Sequence, residues 1–200
     1  MGLRMFLSID SSAGTQVALV TNEGLILAEA LSADPRGHAE MMGVLLEQVF
    51  AKAQVSPSDL TSVVMGIGPG PFTGLRVGMA AASAFALSRG LPLHPVISHD
   101  AWGYFSDHDT VVITDARRGE VAYSVYRAGA ATPREVGPAL ARPENLDEAL
   151  GDARQLPRIT AEQIPAAQLA LVARDYVARG LEFPDPSPRY LRQPDVTPPQ

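Results

Sequence analysis

The stretch Gly66–Gly78, GIGPGPFTGLRVG, constrains the fold more than any other part of this chain. It holds five glycines and two prolines between an apolar run, LTSVVMGI, and an alanine-rich run ending at Arg89. An apolar run of that length reads as a buried strand, and the alanine-rich run, closed by Gly90, reads as a helix. The chain therefore needs an α/β arrangement in which a tight glycine turn joins a strand to a helix. That position also suits an anion, because backbone amides and the helix dipole meet there. Two readings stand side by side. In one, Gly68, Gly70 and Thr73 cradle a phosphate together with Asp10, Ser11 and Ser12 of an earlier turn. In the other, the glycines only allow close backbone approach and Asp10 closes an ordinary turn. No lysine follows the glycines as in a Walker loop, the dinucleotide fingerprint does not fit, and Pro69 and Pro71 remove two amides.

The flanking segments supply the rest of the architecture. FLSIDSSAGTQVALVT reads as a hairpin turning at residues 11–14, GLILAEALS as a third strand, and Asp34-Pro35-Arg36-Gly37 as a break. Between His38 and Ala53, Met42, Leu45, Leu46, Val49, Phe50 and Ala53 recur at the spacing of one helix face. PLHPVI predicts a short strand and SHDAWGYF a helix of two turns. VITDARRGEVAYSVYR then repeats the first hairpin: Asp115, Gly119, Val121 and Ala122 echo Asp10, Gly14, Val17 and Ala18 about half a chain later, which suggests two related lobes. Asp115, Arg117, Arg118 and Glu120 read either as a solvated hairpin tip or as a functional turn. Helices are expected around residues 143–150 and 164–179, followed by an extended proline-rich tail whose last residues move freely.

Composition removes several chemistries. The 200 residues contain no cysteine, which excludes disulfides and thiolate chemistry and suits a reducing compartment. His38, His94, His99 and His108 include no pair at ligand spacing on one helix, so no metal site is expected. A net charge of −6 argues against a chain that grips nucleic acid unaided. With no apolar signal segment at the N-terminus, and with the run Val77–Ser88 too short to span a bilayer, the expectation is a cytoplasmic protein without membrane contact. One further pattern concerns the second helix. Gly74, Gly78, Ala82 and Ala86 recur every four residues and leave a strip almost without side chains, where another backbone can approach. Either the fold itself or a partner covers that strip, and a homodimer is the expected state of the isolated chain.

The segments LSIDSSAGTQVALV, GHAEMM, VVMGIGPGPFTGLRVGMAAASAFA, ITDARRGEVAYSVY and PRYLR resemble, in order and spacing, the TsaB (YeaZ) family, accessory subunits in the synthesis of threonylcarbamoyladenosine in tRNA. The resemblance implies an α/β fold of the actin-like ATPase (ribonuclease H-like) type. Two lobes of mixed sheet flanked by helices would span residues 1–106 and 107–200, the second reduced. It implies a non-catalytic scaffold that pairs with a TsaD-like catalytic subunit and a TsaE-like ATPase, meeting tRNA only through the complex. ATP or ADP with magnesium would then belong to the complex and not to this chain alone. In keeping with this, the glycine-rich segment expected in the second lobe is reduced to Gly151 between Gly137 and Pro165. Carried onto this sequence, the resemblance assigns partner binding to His38, Met42, Leu45, Leu46, Val49, Gly74, Arg76, Gly78 and Ala82. The alternative from another class is a stand-alone ATPase or small-molecule kinase of the same fold, with Asp10 and the glycine loop at the phosphates.

Overall fold

The structure, a computed structural model, describes residues 5–34 and 37–192. Pro35 and Arg36 of the expected break, and the end of the proline-rich tail, lie outside the described residues. Two sheets share one plan. In the first, β1 (Met5–Asp10), β2 (Thr15–Thr21) and β3 (Ile26–Ser32) form an antiparallel meander; β4 (Leu60–Gly66) lies parallel to β1, and β5 (Leu93–Val96) parallel to β4. The order is β3-β2-β1-β4-β5. In the second, β6 (Thr110–Asp115), β7 (Val121–Tyr126) and β8 (Arg134–Ala141) repeat the meander, and β9 (Arg158–Thr160) lies parallel to β6, giving β8-β7-β6-β9. The two hairpins that echo each other in sequence thus occupy equivalent places in the two sheets.

The first sheet is covered on both faces, which explains why every residue of β1 is buried. Met5, Leu7 and Ile9 join a core with α1 (His38–Ala53) and α2 (Phe72–Arg89). On the opposite face, Phe6 joins Leu169, Ala170 and Val172 of α5 (Ala166–Arg179), so the helix that follows the second sheet in the chain packs on the first. Gly90 ends α2 in the left-handed conformation, its amide reaching back to Ala86 and Leu87, as the glycine signal predicts. The second sheet carries its own smaller core, where Val111, Ile113 and Val125 meet Leu146 and Leu150 of α4 (Leu146–Leu150).

One expectation changes and two elements are added. The helix after β5 is a single turn, α3 (Asp100–Gly103), which packs against β6 and against the helix of residues 166–179. Residues 134–141 and 158–160, to which the sequence assigns no element, are strands at the two edges of the second sheet. Pro138 in β8 and Pro95 in β5 are both accommodated because these are edge strands, where an absent amide leaves no ladder bond unmade. The described tail, residues 181–192, has no regular structure but lies on the body. Phe183 stacks on His94 and meets Tyr176 at a tilt, and the Arg189 amide donates to the Ile67 carbonyl at 2.8 Å.

Candidate functional site

The first hairpin and the glycine loop are bonded to each other rather than open to a ligand. The Asp10 carboxylate is buried; its Oδ1 accepts from the Ser12 amide (2.8 Å) and Ser12 hydroxyl (2.6 Å), and its Oδ2 from the Ser98 hydroxyl (2.5 Å). Burial holds its pKa above the usual carboxylate range, against the lowering effect of these hydrogen bonds. Gly66 is glycine because a Cβ there would stand 1.9 Å from Asp10 Oδ2, and one on Gly70 would stand 2.7 Å from the Ser12 Cα. Gly68, at φ +95°, exchanges two bonds with Ser98: its amide donates to the hydroxyl (3.0 Å) and its carbonyl accepts from the Ser98 amide (2.8 Å).

Ser11 is inserted into α2. Its hydroxyl donates to the Gly74 carbonyl at 2.7 Å and accepts from the Gly78 amide at 2.8 Å, so it sits between the two ends of one helical turn. The strip of small residues therefore receives this chain's own first hairpin. Gly74, Gly78, Ala82 and Ala86 are all buried. A Cβ on Gly78 would lie 2.3 Å from Ser11 Oγ, and one on Gly74 would lie 2.7 Å from Nε2 of His38, whose Nδ1 is hydrogen-bonded to Thr15 Oγ1 at 2.7 Å. Met42, Leu45 and Val49 are likewise buried in the core of the first sheet, with Leu46 half-buried against it. Burying each is worth about 1.5–3 kcal/mol to the fold. Of the nine residues expected at a partner surface, the structure places all but Leu46, His38 and the exposed Arg76 inside the molecule. The outward face is the other one: Gly43 and Val44 on α1, and Ala80, Ala84 and Leu87 on α2, with Leu87 85% exposed and open space around Gly43.

A cleft of about 290 Å³ opens where the glycine loop, the second hairpin and the tail converge. Gly70 is the only one of the six expected phosphate-binding residues in its wall; Thr73 is exposed at the start of α2. The second hairpin contributes Arg117 and Arg118, and the tail contributes Tyr190 and Arg192. Tyr190 stacks on Phe72 with ring centroids 4.8 Å apart, while the Arg76 guanidinium lies over Phe72 at 3.7 Å and donates to the Tyr190 hydroxyl. Arg192 pairs with Glu120 across the cleft rim. No sequence signal marked this role for the tail, since PRYLR has no periodicity.

A buried polar cluster joins the two sheets. His99 Nδ1 is hydrogen-bonded to Ser124 Oγ (2.9 Å) and Nε2 to Thr114 Oγ1 (2.8 Å). Burial, reinforced by the nearby Arg134 charge, depresses its pKa to about 3. Next to it, Asp100 accepts from the Tyr126 hydroxyl (2.7 Å) and from Arg134 (2.9 Å). Among the described residues, no group of three or more His, Cys, Asp or Glu side chains is placed to hold a metal, and no helix is long and apolar enough to cross a membrane.

Known proteins share this plan. A family model described as TsaD, tRNA N6-adenosine threonylcarbamoyltransferase, matches residues 26–195. An uncharacterized protein of Mycobacterium tuberculosis is 36% identical over 180 residues, covering 87% of this chain and 84% of its own length. One from Mycobacterium leprae is 40% identical over 149 residues, 72% of this chain but 41% of that longer protein. The Escherichia coli tRNA threonylcarbamoyladenosine biosynthesis protein TsaB is 28% identical over 126 residues, 60% of this chain and 54% of its own. The solved structure of YeaZ from Pseudomonas aeruginosa superposes with a TM-score of 0.73 at 22% identity, covering 94% of this chain and all of that one. The two mixed sheets flanked by helices are thus the actin-like ATPase fold that the resemblance implied.

Proposed function

This chain belongs to the TsaD family, tRNA N6-adenosine threonylcarbamoyltransferase, on its TsaB/YeaZ side, and from that premise we propose that it is an accessory subunit of tRNA threonylcarbamoyladenosine synthesis. In this reading it docks on a TsaD-like catalytic subunit through the outward face of α1 and α2 and catalyses nothing itself. A TsaE-like ATPase joins the assembly, and tRNA meets this chain only within it. The observation that carries the reading is the contrast between two surfaces. Asp10 and Ser11, the side chains best suited to phosphate chemistry, are held in bonds internal to the fold. Meanwhile Val44, Ala80, Ala84 and Leu87 leave a low, apolar helix pair facing outward beside Gly43. Helix pairs with small residues at the contact approach closely and bury apolar area without voids.

Size-exclusion chromatography with a TsaD-like subunit tests this. Leu87→Asp and Ala84→Arg change exposed positions, so both variants keep the parent melting temperature. Together they are expected to weaken the complex by more than about a hundredfold, the effect of two disrupted interface anchors. A complex that survives both substitutions, or ATP turnover by the isolated chain, overturns the proposal.

A further inference from the structure

The four sheet edges of this molecule are not alike. β5 carries Pro95 and is covered where Phe183 stacks on His94, β8 carries Gly137-Pro138, and β9 is three residues long. Proline, short length and covering are the means by which natural sheets keep an edge from accepting another strand. β3, the remaining edge, has only a bulge at Leu27, where its register with β2 shifts. Beyond the bulge, residues 28–32 are regular and hold no proline, glycine, lysine or arginine. They pair with β2 alone, so alternate amides and carbonyls on the far side have no strand partner. Ala28 and Ala30 join the core that α1 covers. By alternation Glu29 and Leu31 stand on the opposite face, where both are exposed, Leu31 at 54%. Leu25, 63% exposed, and Ile26 extend the apolar strip toward the β2–β3 turn. The segment that builds this edge is acidic. Residues 5–51 hold Glu23, Glu29, Asp34, Glu40 and Glu47 besides the buried Asp10, against a single arginine, Arg36. Arg174 reaches the turn from α5 and donates to the Asn22 carbonyl at 2.6 Å.

We propose that β3 accepts an added strand from another protein, an extended segment in which lysine or arginine alternates with apolar residues. Its main chain pairs with residues 28–32, and its side chains set a cation beside Glu29 and apolar surface along Leu31. In strand addition the main-chain bonds supply affinity and the alternate side chains supply specificity. Opposite charges directly across two strands favour the pairing, and like charges oppose it. A second copy of this chain fits poorly for that reason. Antiparallel pairing about Glu29 sets the two Glu29 carboxylates opposite each other, and pairing about Ala30 leaves them on the diagonal, within about 8 Å. The strand brings no cation to relieve either arrangement, in a chain of net charge −6. This edge is separate from the helix face assigned to subunit docking, so its failure leaves that reading intact.

Titration of the full chain with an acetylated seven-residue peptide alternating valine and lysine, followed by amide NMR, tests the assignment. Saturable shifts are expected to centre on residues 28–32. Hydrogen exchange is expected to slow at every second amide there, the pattern of a strand ladder and not of charge attraction alone. The same peptide N-methylated at every residue, or with glutamate in place of lysine, binds at least about tenfold more weakly. Glu29→Lys changes an exposed position; it weakens the lysine peptide by about tenfold and strengthens the glutamate peptide, its melting temperature being read alongside. Glu148→Lys, an equal change of charge at an exposed position of α4, leaves both peptides unchanged. No saturable binding, shifts centred away from β3, undiminished binding of the N-methylated peptide, or equal losses in the two lysine variants each overturns the proposal. So does a dimer of this chain that Leu31→Lys disperses, which would give the edge to a second copy.

Discussion

Replacing Gly78 by alanine lowers the melting temperature by roughly 6–12 °C, the shift expected of about 3 kcal/mol in a domain of this size. The added methyl would stand 2.3 Å from Ser11 Oγ, 3.0 Å from Ser11 Cβ and 3.2 Å from the Ser11 amide nitrogen. These belong to a buried turn, not to the free end of a long side chain, and cannot swing aside. Relief requires moving the turn away from α2, which breaks the hydroxyl's bonds to Gly74 and Gly78. Overpacking of this kind costs about 1–3 kcal/mol, and a buried hydrogen bond left open adds about 1–3 kcal/mol. Gly43→Ala is the internal control. It lies mid-helix with nothing within 4 Å of the new carbon, so the same substitution is expected to stabilise by about 0.5–1 kcal/mol. Circular dichroism melts of the two variants must move in opposite directions; an unchanged midpoint for Gly78→Ala refutes the account of Ser11 as an insert in α2. It follows that Gly78→Arg, or Leu45→Asp with Leu46→Asp, reports on folding and is no probe of docking.

Much of this architecture is legible in the residues. The helix periods of α1 and α2, the hairpin signals and the echo of Asp10–Gly14 in Asp115–Gly119 lead to the two related sheets that the structure contains. The strip at Gly74, Gly78 and Ala82 is also legible as a place of close approach. What occupies it is not, because a missing side chain records space and not its tenant. The tenant is Ser11, 67 positions away from Gly78, joined only by the fold. The same blindness hides the edge strands β8 and β9. A strand interrupted by Gly137-Pro138 and another of three residues carry too little alternation to register. His99 gave no sign of its role, since its partners Thr114 and Ser124 come from a different sheet. The outward face of α1 and α2 was masked by the strength of the inward one: Met42, Leu45 and Val49 form a clear stripe, which in a two-sided α/β layer marks the core.

Protonation of His99 is expected to set the steepest acid-side loss of stability attributable to one residue. Its folded pKa is near 3, while an unfolded histidine titrates near about 6.5. Above the unfolded value the ring is neutral in both states and pH has no effect through it. As pH falls from about 6.5 toward 3, the unfolded chain takes up a proton that the folded chain refuses, and stability drops by about 1.4 kcal/mol per pH unit. Asp10 and Asp100 act in the opposite sense. Burial raises both pKa values, so above the ordinary carboxylate range their folded forms hold protons that the unfolded chain has lost, and they favour the fold as pH falls. Comparison with His99→Gln isolates the histidine, since both carboxylates are common to the two proteins. The variant is expected to be weaker at pH 7 through lost hydrogen bonds to Ser124 and Thr114, yet its urea stability should fall less steeply between pH 6 and 4, by about 1.4 kcal/mol per unit relative to the parent. The curves converge because the parent alone carries the penalty of charging a ring enclosed between the two sheets. Parallel curves would mean that His99 is already open to protons in the folded molecule, and that the contact between the sheets is looser than its hydrogen bonds require.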